Sequence, residues 1–259
     1  MLTWRILKFL PRIPLSRLIG IIARIQWPWF LNQLILKNFV KTYKINMDEA
    51  EKDISQYKSL NDLFTRRLKA GVRPIAESFC VHPADSRITQ FGEINQGQLI
   101  QAKGITYSLA DFLGNAEKAS RYEGGYFIVY YLCPTDYHRV HAPVEGLIKD
   151  IKKLGLDLWP VHDESVSEIE NLFISNERVV VSLNTQLGPV ETVFVGATNV
   201  GSIDLFKSVG DTVQKGEELG VFQFGSTVVM IYPKSMKIAS VVPGPVSCCG
   251  LLKQKENPY

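Results

Sequence analysis

The sequence predicts an α+β protein in which N-terminal amphipathic helices precede a single β-rich domain with antiparallel or barrel-like sheets. Apolar residues recur at helical spacing between positions 15 and 43. From residue 126 onward, short runs rich in Val, Ile, Phe and Tyr alternate with turns that contain Gly or Pro. A chain of 259 residues, 46% of them hydrophobic, can bury a substantial core. We place the boundary so that residues 1–47 form the helical segment and residues 48–259 the main domain.

The N-terminal segment contains many basic residues, and the first acidic residue of the chain is Asp48. Apolar residues between Leu15 and Ile25 predict one helix, and Pro28 is expected to open a second. Trp27 and Trp29 suit the headgroup region of a bilayer, while no uncharged stretch here is long enough to span one. We therefore predict helices that lie on an anionic membrane surface. Helices that pack on the domain and an organelle presequence are the alternatives.

The next stretch connects the helices to the β-rich region. Residues 48–68 are predicted to be helical and polar on one side, with Ser59 and Asp62 as a capping box. Beyond it, Asp85 follows a proline in a turn, where an Asp side chain usually bonds its own backbone. The net charge of +3 is too small to indicate nucleic-acid binding, so no such partner is expected.

Two histidines follow an apolar strand predicted over residues 126–132. Pro134 suits the first turn of a short helix, which would place His138 and His141 on one side of it. If the chain is already extended at His141, the two side chains diverge instead. Catalytic, metal-binding and structural roles all remain open, although no third metal ligand is evident nearby.

The four cysteines do not form a pattern typical of disulfides or metal sites. Cys80 and Cys133 stand alone, and the adjacent pair Cys248–Cys249 suits neither an ordinary disulfide nor a Cys-x-x-Cys metal site. We expect free thiols in a reducing compartment and no bound metal.

A Gly-Ser bond interrupts strand-like sequence near the C-terminus, at Gly225–Ser226 within Phe-Gly-Ser-Thr. Glycine inside a strand marks a bulge or a close approach of another group, so a simple bulge is one interpretation. The other is a reactive serine that, with Asp85 and His141, completes an acid, base and nucleophile set. A Ser-His-Asp hydrolase at a membrane surface fits this set, but Ser226 lacks the Gly-x-Ser-x-Gly elbow. A biotinyl or lipoyl carrier, suggested by residues 209–217, would need an exposed Lys flanked by small residues or Met at a hairpin tip, which Met236–Lys237 does not supply in the expected place.

Several separated motifs together resemble phosphatidylserine decarboxylase proenzymes of the bacterial type. They are His-Pro-Ala-Asp at 82–85, Tyr-His-Arg-Val-His at 137–141, Asn-Glu-Arg-Val at 176–179, Val-Gly-Ala-Thr at 195–198, Val-Gly-Ser-Ile at 200–203 and Phe-Gly-Ser-Thr at 224–227. The resemblance extends over nearly the whole chain, including its basic amphipathic start.

The resemblance implies a proenzyme that cuts itself. His141, oriented by Asp85, is expected to take the proton from Ser226 Oγ, which attacks the carbonyl of Gly225. The resulting ester would eliminate and hydrolyse, leaving a β chain (residues 1–225) and an α chain (residues 226–259). Ser226 would become the covalent pyruvoyl cofactor at the N-terminus of the α chain.

The same resemblance implies the reaction and its setting. The pyruvoyl group would form a Schiff base with phosphatidylserine, and His138 is the candidate that protonates the carbanion to yield phosphatidylethanolamine and CO₂. The expected partners are an anionic phospholipid membrane and the second cleavage product, as an α/β heterodimer or a dimer of heterodimers. The expected location is the cytoplasmic side of the cell membrane, peripherally bound.

Overall fold

The computed structural model describes residues 12–102, 105–198, 202–223 and 226–254. Residues 1–11 of the predicted membrane segment and the pair Phe224–Gly225 therefore lie outside the described residues. The α-helices are α1 (Arg12–Arg24), α2 (Trp29–Tyr43), α3 (Leu60–Phe64), α4 (Leu109–Leu113), α5 (Ala116–Ser120), α6 (Asp163–Glu168) and α7 (Leu172–Ser175). Single turns of 3-10 helix occur at Met47–Glu49, Ile54–Gln56 and Lys234–Met236.

Most of the regular structure is β-strand. The strands are β1 (Cys80–Val81), β2 (Ser86–Glu93), β3 (Gln98–Ala102), β4 (Ile105–Ser108), β5 (Tyr126–Leu132), β6 (Arg139–His141), β7 (Gly146–Leu154), β8 (Arg178–Thr185), β9 (Gly188–Gly196), β10 (Ile203–Leu205), β11 (Thr212–Val213), β12 (Glu218–Phe222), β13 (Ser226–Tyr232), β14 (Gly244–Val246) and β15 (Leu251–Leu252).

An eight-stranded antiparallel sheet in the order β11-β7-β8-β9-β13-β5-β2-β14 is the centre of the molecule. A three-stranded sheet, β10-β12-β6, and two-stranded sheets, β1-β15 and β3-β4, accompany it. The predicted α+β class with antiparallel sheets is confirmed. Within the described residues the large sheet is open, with β11 and β14 at its edges, and does not close into a barrel.

Strand β13 lies inside the large sheet and is buried along its whole length. Because side chains alternate along a strand, Val228, Met230 and Tyr232 enter one core cluster, and Val229 and Ile231 enter the cluster on the opposite face. A strand covered on both faces needs continuous apolar sequence, which β13 has after its first two residues.

Helices α1 and α2 expose their apolar sides. On α1 the buried positions are the small residues Ser16, Gly20 and Ala23, whereas Leu18 and Ile21 are exposed. On α2 the residues turned outward include Trp29, Phe30 and Leu34, while Asn32, Gln33 and Leu36 are buried. The described helices include none with the length and apolar character needed to cross a bilayer.

The connecting segment departs from the sequence prediction. Only Leu60–Phe64 forms an α-helix, and the rest of residues 48–68 forms turns, so the long helix predicted there is wrong. Ser59 does cap α3, because its side chain accepts from the backbone N–H of Asp62 at 3.1 Å. The Asp62 carboxylate accepts from the N–H of Lys58 instead of closing a capping box on Ser59. The polar side chains of this segment accept hydrogen bonds from nearby backbone N–H groups, which favours turns over a continuous helix.

The segment after β5 is also not helical. The Asp136 carboxylate accepts the backbone N–H of Cys133 at 2.7 Å, which closes a turn where a short helix was predicted. His138 follows this turn and His141 ends strand β6. Side chains three residues apart in an extended chain point to opposite sides. The two histidines therefore diverge, as expected for a chain that is extended at His141.

Candidate functional site

Ser226 begins β13 at the middle of the large sheet. It is paired with Leu132 of β5 and with Gly196 of β9, and its side chain is fully buried. Within the described residues, its hydroxyl has no hydrogen-bond partner. Leaving a buried hydroxyl unpaired costs about 1–3 kcal/mol, and Thr192 and Thr227 share this condition, so the position of Ser226 at the start of β13 distinguishes it as much as the missing partner does.

His138 lies beside the strand that leads toward Ser226. Its carbonyl accepts the backbone N–H of Phe222, the last residue of β12, at 3.1 Å. Its ring stands 4.1 Å from that of Phe64, centroid to centroid, and the residue is fully buried. Since a carbonyl can only accept, Nδ1 donates to Asp136 O at 2.9 Å, and Nε2, which has no partner within the described residues, carries the lone pair. Burial lowers the pKa of His138 to about 3, so the imidazole is neutral near pH 7.

His141 is held in a different environment at the end of β6. Its backbone N–H donates to Pro83 O at 2.8 Å, and its Nδ1 donates to Gly216 O at 2.7 Å. Its Nε2 is 3.0 Å from the hydroxyl of Tyr137. Burial by itself would lower the pKa of His141, but hydrogen bonds with Cys249 and with the Gly216 carbonyl outweigh it and raise the pKa above the usual value.

Asp85 forms an ion pair with arginine. Its carboxylate accepts from Arg73 Nε at 2.9 Å and from Arg73 Nη2 at 2.6 Å, and the backbone N–H of Cys248 donates to it at 2.7 Å. Arg73 Nη2 also bonds Glu49 at 2.8 Å. Hydrogen bonds with Asp85, and then with Glu49, raise the pKa of Arg73 despite partial burial.

The structure brings Asp85 and His141 to the 247–250 loop and His138 to the end of β12, whereas Ser226 contacts neither Asp85 nor His141 through a hydrogen bond within the described residues. Within the described residues, no direct hydrogen bond connects Asp85 to His141 or His141 to Ser226. Asp85 reaches His141 indirectly, through the loop that carries Cys248 and Cys249. Gly225, the other half of the predicted cleavage site, lies outside the described residues.

Cys248 and Cys249 are the members of this neighbourhood that sequence reasoning missed. Both are free and buried, and their Sγ atoms are 3.5 Å apart. Together with a ring nitrogen of His141, the two sulfurs form a group whose atoms all lie within 4.8 Å of one another. Only the adjacency of the cysteines was visible in the sequence, since more than 100 residues separate them from His141.

A positively charged cavity of about 290 Å³ lies next to the loop that carries His138. Arg66, which lines it, is 5% exposed and donates through Nη2 to the carbonyls of Thr135 and Asp136, both at 3.2 Å. Within the described residues, Nε and Nη1 of Arg66 have no acceptor. The cavity is also lined by Arg67, Arg139, Lys52, Tyr57, Thr65, Glu51 and Asp62. Basic residues outnumber acidic ones here, which favours an anion.

A second cavity, of about 280 Å³, is lined by Thr227, Tyr131 and Phe173 among others. Tyr131 and Phe173 belong to the core on the face opposite to Val228 and Met230. Strand alternation directs Ser226 to the Val228 side and Thr227 to the other, so this cavity does not serve Ser226.

The remaining two histidines have structural roles. His82 is buried against Tyr130, with Nδ1 3.0 Å from the tyrosine hydroxyl, and burial lowers its pKa to about 4. His162 caps helix α6 by accepting from the backbone N–H of Ser165. Within the described residues, neither side chain makes a hydrogen bond to Asp85, His138, His141 or Ser226.

Comparison with known proteins identifies the family. The family model described as phosphatidylserine decarboxylase matches residues 60–248, and a second model, described as PSD, matches residues 5–44. The phosphatidylserine decarboxylase proenzyme of Vibrio cholerae serotype O1 is 42% identical over 251 residues, which covers 87% of this chain and 88% of that protein. The proenzyme of the same name from Shewanella sp. strain ANA-3 is 42% identical over 250 residues, covering 87% and 85%. That of Vibrio vulnificus is 40% identical over 251 residues, covering 87% and 88%. The chain belongs to the phosphatidylserine decarboxylase family, a family of lyases.

Proposed function

We propose that this protein cuts itself between Gly225 and Ser226 and then decarboxylates phosphatidylserine with a pyruvoyl group made from Ser226. The observation that best supports this proposal is the environment of Ser226. The residue begins a central strand, and its side chain is fully buried with no partner within the described residues. A hydroxyl consumed in maturation needs no permanent partner. The relatives are named proenzymes, which also agrees with a chain that is processed.

In the proposed cleavage, Ser226 Oγ attacks the Gly225 carbonyl carbon while His141 accepts the hydroxyl proton. The peptide C–N bond breaks and an ester forms, with the proton going to the released amine. Elimination then splits the ester into a carboxyl terminus at residue 225 and a dehydroalanine, and water converts the dehydroalanine to pyruvoyl and ammonia. General-base assistance of this kind contributes about 10²–10⁴-fold.

Asp85 is the proposed positioning residue for His141. Its carboxylate fixes the backbone of Cys248, and the neighbouring Cys249 in turn contacts His141. The Gly216 carbonyl holds Nδ1, which leaves Nε2 as the nitrogen able to accept a proton. To reach Ser226, His141 must exchange its contact with Tyr137 for one with the serine.

His138 is the proposed proton carrier of the decarboxylation step. Once formed, the pyruvoyl carbonyl supplies the electron sink that loss of CO₂ requires. His138 Nε2 is buried and has no partner within the described residues, so it is available to exchange a proton with the substrate carbon, and the lowered pKa makes the protonated ring a strong donor. The full burial of His138 also keeps bulk water away from that carbon.

The substrate class is supported by charge and by the helices. The arginine-lined cavity beside the His138 loop suits an anionic headgroup, because guanidinium groups pair well with phosphate. Tyr57, which lines this cavity, belongs to the same apolar cluster as Leu36 of α2. Helix α2 exposes Trp29, Phe30 and Leu34. We propose that these exposed faces rest on the cytoplasmic side of the cell membrane, so that the cavity receives lipid at headgroup level.

Intact-mass measurement under denaturing conditions tests the cleavage. Wild type is expected to give two chains that correspond to residues 1–225 and 226–259, the smaller with a blocked pyruvoyl terminus, whereas Ser226→Ala should give one chain. Thr227→Val is the matched control, since Thr227 is also buried and its hydroxyl lacks a partner within the described residues, but on the other face of β13. It should cut like wild type. A single uncut wild-type chain with a free serine would refute the proposal and favour a hydrolase.

Release of CO₂ from phosphatidylserine vesicles tests the substrate. The cut protein should release CO₂ from these vesicles and leave phosphatidylethanolamine, while Ser226→Ala should not. Free serine supplied at equal concentration serves as the comparison, and equal turnover of free serine would contradict a lipid substrate. Gel filtration with light scattering then distinguishes one α/β heterodimer from a dimer of heterodimers.

A further inference from the structure

The sulfurs of Cys248 and Cys249 and a ring nitrogen of His141 converge on one point. All three ligand atoms lie within 4.8 Å of one another. The two cysteines are buried, whereas His141 is half-buried, so the group has a path to solvent on the histidine side. Two sulfurs and one imidazole nitrogen are a donor set that soft and borderline cations such as Zn²⁺ prefer.

The loop that carries the cysteines is held in place by backbone hydrogen bonds. Cys248 N–H donates to Asp85 at 2.7 Å, and Cys249 N–H donates to the carbonyl of His82 at 2.8 Å. The carbonyl of Cys249 accepts from Ala76 at 3.0 Å, and that of Gly250 accepts from His82 at 3.0 Å. The ligand geometry is therefore fixed before any cation arrives, which reduces the entropy lost on binding.

The sulfur separation agrees with a shared cation better than with a disulfide. Two sulfurs bound at about 2.3 Å to a tetrahedral Zn²⁺ stand about 3.8 Å apart. A disulfide requires about 2.05 Å. The observed 3.5 Å differs from the first distance by a few tenths of an ångström and from the second by much more.

His141 is oriented as metal-binding histidines usually are. Its Nδ1 donates to the carbonyl of Gly216, and a histidine whose one nitrogen is fixed by a backbone carbonyl presents the other as a ligand. That nitrogen, Nε2, lies 3.0 Å from the hydroxyl of Tyr137, and a neutral hydroxyl is readily displaced. With three protein ligands, the fourth position would be left to water.

We propose that His141, Cys248 and Cys249 bind a thiophilic divalent cation of the Zn²⁺ class, and that this occupation holds back self-cleavage. The second half rests on the proposed function, in which His141 is the base. A lone pair that binds a cation cannot accept the proton of Ser226, so the cation and the cleavage step compete for one nitrogen. On binding, both thiols release their protons to solvent and no oxidant is needed.

Binding is measured on Ser226→Ala, which keeps a single chain whatever the maturation chemistry. Addition of Co²⁺ as a spectroscopic probe is expected to give thiolate-to-metal charge-transfer bands, and Zn²⁺ should displace it at one ion per chain. In the same background, Cys248→Ala with Cys249→Ala should abolish the bands and weaken Zn²⁺ binding at least about 100-fold, since loss of outer partners alone costs about 10–100-fold. The Co²⁺ spectrum of the unchanged cysteines remains decisive if the double variant fails to fold.

The other two cysteines provide matched controls. Cys80 is buried and Cys133 is half-buried, and neither belongs to the group around His141. Cys80→Ala and Cys133→Ala should retain the bands and the affinity. Equal loss in these variants, absence of thiolate bands, or a Cys248–Cys249 disulfide two hydrogens lighter by mass would each overturn the site.

Competition with cleavage is measured on wild-type chain made by cell-free synthesis. Appearance of the 226–259 fragment should slow at least about tenfold with Zn²⁺ and recover with a chelator, whereas the double alanine variant should cut at one rate in both conditions. Zn²⁺ binding without slower cleavage would overturn the competition. Absence of cleavage even with chelator would refute the proposed function and leave the Co²⁺ result standing.

Discussion

Arg73 holds the carboxylate of Asp85 with two nitrogens, Nε at 2.9 Å from Oδ1 and Nη2 at 2.6 Å from Oδ2. Asp85 in turn fixes the backbone of Cys248 at 2.7 Å. The acid proposed to orient His141 is thus paired with an arginine, and its contact with the histidine runs through the loop of Cys248 and Cys249. We therefore propose Arg73 as a further positioning residue.

Arg73→Met is predicted to slow self-cleavage about 10–100-fold, because a small misplacement of a reacting group costs this much. It also leaves the Asp85 carboxylate unpaired, at about 3 kcal/mol of unfolding free energy. The rate is measured as the appearance of the 226–259 fragment, and the stability by urea unfolding of Ser226→Ala chains. Glu49→Gln, which removes the more exposed partner of Arg73, is the control and should change both quantities less. Wild-type cleavage in Arg73→Met would refute the positioning role.

His138→Ala is predicted to cut normally but to release CO₂ about 10²–10⁴-fold more slowly, because the substrate carbanion loses its proton carrier. His141→Ala should instead fail to cut. Fragment analysis and CO₂ release on the same preparations separate the two effects. His82→Gln, which changes another buried histidine, should do neither. If His138→Ala blocks cutting and His141→Ala permits it, the two roles are reversed.

The triple variant Trp29→Ser, Phe30→Ser and Leu34→Ser is predicted to lose at least about tenfold in vesicle binding. These side chains are 73%, 71% and 65% exposed and would enter the acyl boundary of a bilayer. Sedimentation with vesicles that contain phosphatidylserine measures the loss.

Exposed apolar residues elsewhere on the surface supply the control for this prediction. Leu156 and Val242 are 88% and 81% exposed and lie outside the helices. Changing both to Ser should leave sedimentation unchanged. An equal loss in both sets of variants would mean that general surface hydrophobicity, and not the helical face, drives binding.

His82 is predicted to make folding sensitive to mild acid. Burial lowers its pKa to about 4 in the folded protein, against 6.5 when exposed, so between these values only the unfolded chain carries the extra proton. The stability contributed by neutral His82 is complete above about pH 6.5 and is lost as the pH falls toward 4. The loss approaches about 1.4 kcal/mol per pH unit.

The pH prediction is checked by urea unfolding of Ser226→Ala with and without His82→Gln, between pH 7 and pH 4. His138 titrates in the same direction, while burial raises the pKa values of Asp136 and Glu191 and opposes it. Both proteins contain these groups, so their contribution cancels when the two unfolding free energies are subtracted at each pH. The His82→Gln protein should lose stability less steeply, and parallel curves would exclude the histidine as a cause.

Strand sequence was predicted well because its signals are local. The predicted strand 126–132 coincides with β5, and the short runs rich in Val, Ile, Phe and Tyr beyond it include β7, β8 and β9. The hairpin after β8 turns before Gly188, so Gly188 and Pro189 open β9 although such residues are typical of turns. The helix predicted over 48–68 failed because its polar side chains bond nearby backbone groups.

For the candidate site, the sequence indicated the residues but not the contacts that they make. Ser226, His138, His141 and Asp85 could be singled out by residue type and by resemblance to a family. Their partners could not, because Arg73 with Asp85, and Cys249 with His141, are contacts made by folding. Likewise the outward apolar faces of α1 and α2 follow from what the domain leaves uncovered, which no periodicity reveals.

The strands that follow residue 225 are distributed over two sheets. Strand β13 is paired on both sides, β14 lies along β2, and β15 lies along β1. A backbone break in front of Ser226 would leave every one of these ladders intact. The strands of the short piece would stay paired with strands of the long piece. Gel filtration would therefore show no change in size. Only a denaturant would separate the two pieces, and a nicked molecule should unfold as a single unit.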